Sequence, residues 1–98
     1  MKLTHTPGPT AHTIAIEGSV DTVTAPELEA AIAALPATLE RLILDFAAVD
    51  YVSSAGLRVL LAADQRLSAS GALILRNVNP DVREVFEMTG FDELLTLE

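Results

Sequence analysis

Two adjacent hydroxyl residues, Ser53 and Ser54, stand before Ala55 and Gly56 at a predicted junction between a strand, a loop and a helix. The first turn of a helix has backbone N–H groups without partners and carries the positive end of the helix dipole. A phosphate on Ser54 would add about −1.5 to −2 charge where such donors can receive it. Serine is also a preferred N-cap, so Ser53 acting as a cap would explain the pattern equally well. The local sequence therefore leaves a phosphorylation site and a simple helix cap both open.

No other group of residues has the spacing of a catalytic or metal site. His5 and His12 flank the turn Pro7–Pro9 and could face each other across a hairpin, but two imidazoles without an evident third ligand do not predict a metal site. The phosphate-binding, dinucleotide-binding, nucleophile-elbow and zinc-protease motifs do not occur. The acidic residues are scattered, and we expect Asp45 and Asp50, which flank a predicted loop, to be solvated or capping groups. We therefore expect a protein that is not an enzyme and needs no cofactor or metal.

The composition limits the architecture. A chain of 98 residues closes one modest core, so we expect a single domain over residues 1–98. Half of the residues are hydrophobic and only 4% are aromatic, which favours aliphatic packing between helices and a sheet. The absence of cysteine excludes a disulfide scaffold and a thiol nucleophile. Nothing in this composition requires an oxidising compartment, and we expect a cytoplasmic protein.

The net charge of the chain indicates which kinds of partner it can bind. Fourteen acidic and six basic residues give a formal net charge of −8. Such a surface repels nucleic acid and anionic lipid, so neither is an expected partner, whereas a protein with basic groups is favoured. The N-terminus lacks the apolar run of a signal peptide, and stretches such as Leu42–Leu44 are far shorter than the ~20 residues that span a bilayer. We therefore expect no contact with a membrane.

The order of predicted elements indicates an α/β domain with a mixed sheet of four to five strands packed with three to four helices. Extended segments are predicted at Lys2–Thr6, Thr13–Glu17, Leu42–Phe46, Ala72–Leu75 and, as a short strand or turn, Leu94–Leu97. The first two form an antiparallel pair, and the next two are joined by a helix in a right-handed parallel crossover. The apolar run Leu42–Phe46 is typical of a strand covered on both faces. The order of the strands does not follow from the pattern.

Loop and helix boundaries are predicted from turn and capping residues. Gly18 is expected to end the second strand, and a loop is expected through Asp50. Thr24 and Glu27 have the spacing of a capping box for the first helix, which Pro36 would end. The second helix starts at the serine pair, carries its apolar face on Leu57, Leu60, Leu61 and Leu67, and stops at Gly71. The third starts at Asn79-Pro80, carries Val82, Val85, Phe86 and Met88, and ends at Gly90.

Several segments together resemble a known family. They are Gly18–Asp21, Thr24–Leu28, Leu44–Phe46, Val52–Leu61 and Asn79–Phe91. In this order they are similar to the STAS domain, and most of all to the stand-alone anti-sigma factor antagonists of bacteria. The resemblance covers essentially the whole chain, and the order and register of these motifs make it specific.

The resemblance implies a partner-switching cycle. In that family the unphosphorylated antagonist binds an anti-sigma factor, typically also a serine kinase of the histidine-kinase-like ATPase fold, and so frees the sigma factor. The kinase phosphorylates a serine at the start of the second helix, and a metal-dependent serine phosphatase reverses the modification. The family's register to Gly56-Leu57 places the acceptor on Ser54, and its loop aspartate falls on Asp21. The expected partner-binding residues are thus Asp21, Ser53, Ser54 and Gly56.

Two departures from the family pattern keep alternatives open. Ser53 replaces the aspartate that precedes the acceptor, and Ala55 replaces the hydroxyl residue that follows it. Ser53 therefore remains the second candidate for the modified residue. Two other functions also remain: a STAS subunit of a lipid or anion transport complex whose serine is not phosphorylated, and a STAS module that binds a small ligand near the same helix.

Overall fold

In the part of the chain that the structure describes, the fold is a five-stranded sheet with four helices. The computed structural model describes residues 1–36, 38–67 and 71–98. The strands are β1 (Lys2–Pro7), β2 (Ala11–Val20), β3 (Arg41–Val52), β4 (Ala72–Arg76) and β5 (Thr96–Leu97). The helices are α1 (Ala25–Ala33), α2 (Ser54–Leu67), α3 (Pro80–Thr89) and α4 (Phe91–Leu94). The predicted α/β class, mixed sheet and number of elements are confirmed.

The sheet order follows the chain from β1 to β5. β1 and β2 form the predicted antiparallel hairpin, and the pairs β2–β3, β3–β4 and β4–β5 are parallel. Each parallel crossover therefore advances by one strand in the same direction. Right-handed crossovers that advance in one direction place their helices on the same face of a sheet.

One apolar core fills the space between that face and the helices. It combines Leu42, Leu44 and Phe46 of β3 with residues of α1, α2 and α3, and the rings of Phe46 and Phe86 lie 6.3 Å apart between centroids. Ile43, which alternation points to the opposite face, does not belong to this cluster. Ile43 is nevertheless only 7% exposed, so both faces of this stretch carry buried side chains, as expected, although the main core cluster lies on one face.

Two strands extend further than the sequence indicates. β2 continues through Gly18, whose φ of 101° accompanies an irregularity in its pairing with β3, and ends at Val20. β3 likewise continues through Asp50 to Val52, where a loop was expected. Pairing between the two strands holds both extensions, since Val20 pairs with Val52. The carboxyl ends of β2 and β3 therefore lie side by side in the sheet.

The helix boundaries agree with the capping residues only in part. Asn79 caps α3 as predicted, because its side chain accepts a hydrogen bond of 2.8 Å from the Val82 N–H, and Gly90 ends α3 with a φ of 78°. Thr24 does not cap α1 through its side chain, so the predicted capping box does not form. Met88 is 79% exposed and takes no part in the core.

Gly71, the predicted stop of α2, donates a hydrogen bond of 2.7 Å from its N–H to the Leu67 carbonyl and also makes a close contact that the sequence does not indicate. α2 is described as far as Leu67, and residues 68–70, through which its predicted end runs, lie outside the described residues. A Cβ atom at Gly71 would clash with the backbone of Glu40. Glycine is therefore required here by the close approach of two chain segments.

Candidate functional site

The predicted site lies at the carboxyl ends of β2 and β3. The Ser53 N–H donates a hydrogen bond of 2.9 Å to the Val20 carbonyl, which extends the pairing of the two strands by one step. Asp21 and Ser53 each follow directly on one of these strands. The parallel pairing therefore brings together two segments that are more than 30 residues apart in the chain. The loop before α1 and the first turn of α2 share one edge of the sheet.

The two serines have different environments at the start of α2. Ser53 is half-buried and is the N-cap: its Oγ accepts a hydrogen bond of 3.3 Å from the Gly56 N–H, and its carbonyl accepts one from Leu57. Ser54 is the first helical residue, is exposed, and makes no side-chain hydrogen bond within the described part of the chain. The capping role open to Ser53 is confirmed, and the Ser54 hydroxyl is accessible.

Gly56 lets α2 approach the ends of both strands. A Cβ atom here would lie 2.7 Å from the Val20 carbonyl oxygen, 2.9 Å from a Val20 methyl carbon and 3.0 Å from a Val52 methyl carbon. The first of these contacts is with backbone, which cannot rotate away. A glycine is therefore needed at this position to hold the first turn of α2 against the sheet.

Asp21 organises the loop between β2 and α1. Its carboxylate accepts hydrogen bonds of 3.0 Å from the N–H groups of Val23 and Thr24, and the Thr24 hydroxyl, which donates to the Ser19 carbonyl at 2.7 Å, lies 3.1 Å from the same carboxylate. The Thr24 hydroxyl also accepts from the Asp21 N–H. Asp21 is half-buried, and these hydrogen bonds hold the turn in place.

These hydrogen bonds change the acidity of Asp21. The backbone N–H of Thr24 is the main cause that lowers the pKa of the Asp21 carboxyl below its ordinary value. A carboxyl whose pKa is lower in the folded state stabilises the fold above its unfolded-state pKa, and this contribution is lost as the pH falls through the folded-state value. Asp21 is therefore an anion at neutral pH, and its charge lies at the edge that carries Ser54.

Two apolar side chains near this edge were not singled out from the sequence. Val23, in the loop after Asp21, is 86% exposed, and Tyr51, one residue before the end of β3, is 53% exposed. Single exposed apolar side chains are ordinary on protein surfaces, so these two do not by themselves indicate a contact surface. Hydrophobic periodicity in the sequence could not identify Val23 and Tyr51, because their exposure depends on where β2 and β3 end.

A groove runs between α1 and α2 beside the serines. Its volume is about 400 Å³, and its lining comprises Thr22, Ala25, Pro26, Glu29, Ala55, Arg58, Val59 and Ala62. One wall comes from the loop after β2 and from α1, and the other comes from the first turns of α2. The groove therefore begins at the same edge as the candidate site.

The two histidines meet across the β1–β2 hairpin, as their positions suggested. His5 Nδ1 lies 2.8 Å from His12 Nε2, and burial together with the charge of His5 lowers the pKa of His12. Among residues 1–36, 38–67 and 71–98, no three His, Asp or Glu side chains are grouped so that they could hold a metal ion. The pair is remote from the serines in the sheet, at the opposite end of β2.

Over the described ranges, no helix combines the length and apolar character needed to cross a membrane.

Comparisons with known proteins agree with this architecture. The model of the STAS domain matches residues 2–98. BtrV of Bordetella bronchiseptica, whose name describes an anti-sigma factor antagonist, is 47% identical over 78 residues, which are 78% of this chain and 67% of that protein.

Two solved structures share the fold. An anti-sigma factor antagonist from Mycobacterium paratuberculosis is 29% identical, with a TM-score of 0.88 over 98% of this chain and 83% of that one. SpoIIAA of Bacillus in its phosphorylated form is 21% identical, with a TM-score of 0.74 over 99% of this chain and 91% of that one. The family model spans nearly the whole sequence, and the chain therefore belongs to the STAS domain family.

Proposed function

We propose that this protein is an anti-sigma factor antagonist controlled by phosphorylation of Ser54. The observation that carries the proposal is the exposed Ser54 hydroxyl in the first turn of α2, at the sheet edge where the Asp21 carboxylate also lies. The names of BtrV and of the mycobacterial antagonist support the assignment, since they are 47% and 29% identical to this chain. The unphosphorylated protein binds an anti-sigma factor and thereby releases the sigma factor.

The proposed cycle has three participants besides the sigma factor. The anti-sigma factor is a serine kinase of the histidine-kinase-like ATPase fold, and it phosphorylates the antagonist that it binds. A metal-dependent serine phosphatase removes the phosphate. The antagonist itself acts by binding in the cytoplasm and catalyses no step, and one STAS domain over residues 1–98 supplies the binding surface.

The environments of the two serines support Ser54 over Ser53 as the acceptor. A phosphate on Ser53 would convert the Oγ that caps the Gly56 N–H into an ester oxygen, which is a weaker acceptor, and would place about −1.5 to −2 charge on a half-buried side chain. A phosphate on Ser54 disturbs no hydrogen bond within the described residues. Modification of Ser54 therefore costs the fold less than modification of Ser53.

Phosphosite mapping tests the proposal. The protein is incubated with its cognate kinase and ATP, and the modified residue is located by mass spectrometry. We expect modification of the wild type and of Ser53→Ala, and none of Ser54→Ala. Phosphate confined to Ser53, or no phosphate on either serine with an active kinase, would contradict the proposal. Ser54 that stays unmodified in cells containing the kinase would favour the transport-subunit alternative.

Asp21→Asn is expected to weaken binding to the kinase or slow phosphorylation by about tenfold, equivalent to about 1.4 kcal/mol, with little loss of stability. The amide oxygen of Asn can still accept the hydrogen bonds from Val23 and Thr24. The substitution removes the charge from the docking edge, which is the sheet edge at the carboxyl ends of β2 and β3 where we propose that the partner binds. We expect the free energy of unfolding to change by no more than about 1 kcal/mol.

Kinase titrations and thermal denaturation measure the two effects of Asp21→Asn separately. Asp92→Asn is the control, because Asp92 is an exposed carboxylate on α4 whose loss changes the net charge equally. A folded Asp21→Asn protein that is bound and phosphorylated as well as Asp92→Asn would show that Asp21 serves the loop alone.

A further inference from the structure

Arg58 lies one helical turn after Ser54 on α2. Residues four apart in a helix are neighbours on one face, about 6 Å apart along the axis. Side chains in a helix lean toward its N-terminus, so the Arg58 side chain leans back toward the turn that contains Ser54 and Ala55. Arg58 is exposed and lines the groove together with Ala55. An arginine side chain is long enough to reach a group attached to the Ser54 oxygen.

Within the described residues, the Arg58 guanidinium has no hydrogen-bond or ion-pair partner. Lys2 pairs with Glu17, and Arg76 pairs with Glu98. Arg66 donates to the carbonyl oxygens of Ile32, Ala33 and Leu35 at the end of α1. Arg58, in contrast, makes no hydrogen bond or ion pair with a residue in the described ranges, although Glu29 lines the same groove. Its guanidinium is therefore available to a new anion.

The other charged groups at this edge are acidic except for the N-terminal ammonium of Met1, whose charge is among the causes that lower the pKa of Asp21. Asp21 belongs to the loop after β2, Asp50 lies near the end of β3, and Glu29 lies on α1 across the groove. The whole chain has a formal net charge of −8. A phosphate on Ser54 would therefore be repelled by its surroundings, and α2 offers it a cation only at Arg58 within reach of its first turn.

We propose that Arg58 receives the phosphate on Ser54 and holds it against the groove between α1 and α2. The planar guanidinium can donate two parallel hydrogen bonds to phosphate oxygens, which makes such pairs stronger than contacts between neutral groups. This inference deepens the proposed function and rests on it. Phosphorylation would then change the docking edge in two ways. It adds negative charge, and it occupies the Arg58 guanidinium, which is then no longer free to contact a partner.

The test uses phosphoserine installed at position 54 during translation, so that no kinase is needed. The pKa of the phosphate is measured by ³¹P NMR in the wild type, Arg58→Gln, Arg58→Lys and Arg83→Gln. Arg83 is an exposed arginine on α3 and controls for the general loss of one positive charge. We expect Arg58→Gln to raise the phosphate pKa by about 0.3 unit, and Arg58→Lys and Arg83→Gln to leave it close to the wild-type value.

A second readout reports the contact itself. The guanidinium Nε–H resonance of Arg58 is expected to shift when Ser54 carries phosphate, and the corresponding resonance of Arg83 is expected to stay in place. Equal phosphate pKa values in the wild type and Arg58→Gln, with an unshifted Arg58 resonance, would overturn the inference. That result would leave the proposed function intact, whereas failure of a kinase to modify Ser54 would remove the function without changing these NMR measurements.

Discussion

Phosphorylation of Ser54 is expected to weaken binding to the anti-sigma factor by about 100-fold or more while the fold stays unchanged. Ser54 is exposed, and the helix that follows it is anchored by the buried residues Gly56, Leu57 and Leu60. The phosphate adds about −1.5 to −2 charge that must lose water on docking. One guanidinium at Arg58 balances only part of this charge. The uncompensated remainder costs several kcal/mol when it is buried at an interface, and each 1.4 kcal/mol is a factor of ten in affinity.

Calorimetric titration of the anti-sigma factor with both forms of the protein measures this effect, and circular dichroism checks the fold. Ser54→Ala is the control, since it should bind as tightly as the unmodified protein whether or not kinase and ATP are present. Ser54→Asp should bind more weakly than Ser54→Ala. If fully phosphorylated protein binds with the affinity of the unmodified form, switching by Ser54 is wrong.

Gly56→Ala is expected to destabilise the protein by about 1–2 kcal/mol, although alanine is the better helix former. The replacement gains up to ~1 kcal/mol in helix propensity. The added Cβ atom, however, would lie 2.7 Å from the Val20 carbonyl oxygen, and overpacking of this kind costs about 1–3 kcal/mol. Relief requires α2 to move away from β2 and β3, which would displace Ser53 and Ser54 from the docking edge.

Thermal denaturation of Gly56→Ala should show a lower Tm by roughly 5–15 °C. The matched control is Ser54→Ala in the same helical turn, where an exposed side chain should change the stability by no more than about 0.5 kcal/mol. We also expect Gly56→Ala to bind the anti-sigma factor more weakly than Ser54→Ala. A Gly56→Ala protein as stable as the wild type would show that helix propensity outweighs the close contact.

The local features of this fold could be read from the sequence because they depend on neighbouring residues. Apolar runs and turn residues gave the alternation of strands and helices, and the resemblance to the STAS domain supplied the family. Asn79 and Gly90 bound α3 as expected, since a cap and a left-handed glycine act within a few residues. The position of Ser54 relative to Gly56 also needed only the sequence and the family register.

Where pairing between distant segments decides the structure, the sequence was less informative. β2 and β3 run on past Gly18 and Asp50, because each strand supplies the hydrogen-bonding partner of the other. Thr24 has the spacing of a capping box, but its hydroxyl instead donates to the Ser19 carbonyl and accepts from the Asp21 N–H. Local spacing could not reveal these contacts, since the turn after β2 has its own competing hydrogen bonds.

By itself, then, the sequence determined the elements, the family and the candidate acceptor. The elements and the register of the acceptor depend on residues close together in the chain, and the family depends on several short motifs in a fixed order. Only the tertiary structure decided that Ser53 is the cap while Ser54 is exposed, and that Asp21 holds a turn at the same edge. It also decided why position 56 is a glycine, because the obstructing atoms belong to Val20 and Val52 on two separate strands. The physical reason is that burial and close approach are properties of packed segments, which no single stretch of sequence contains.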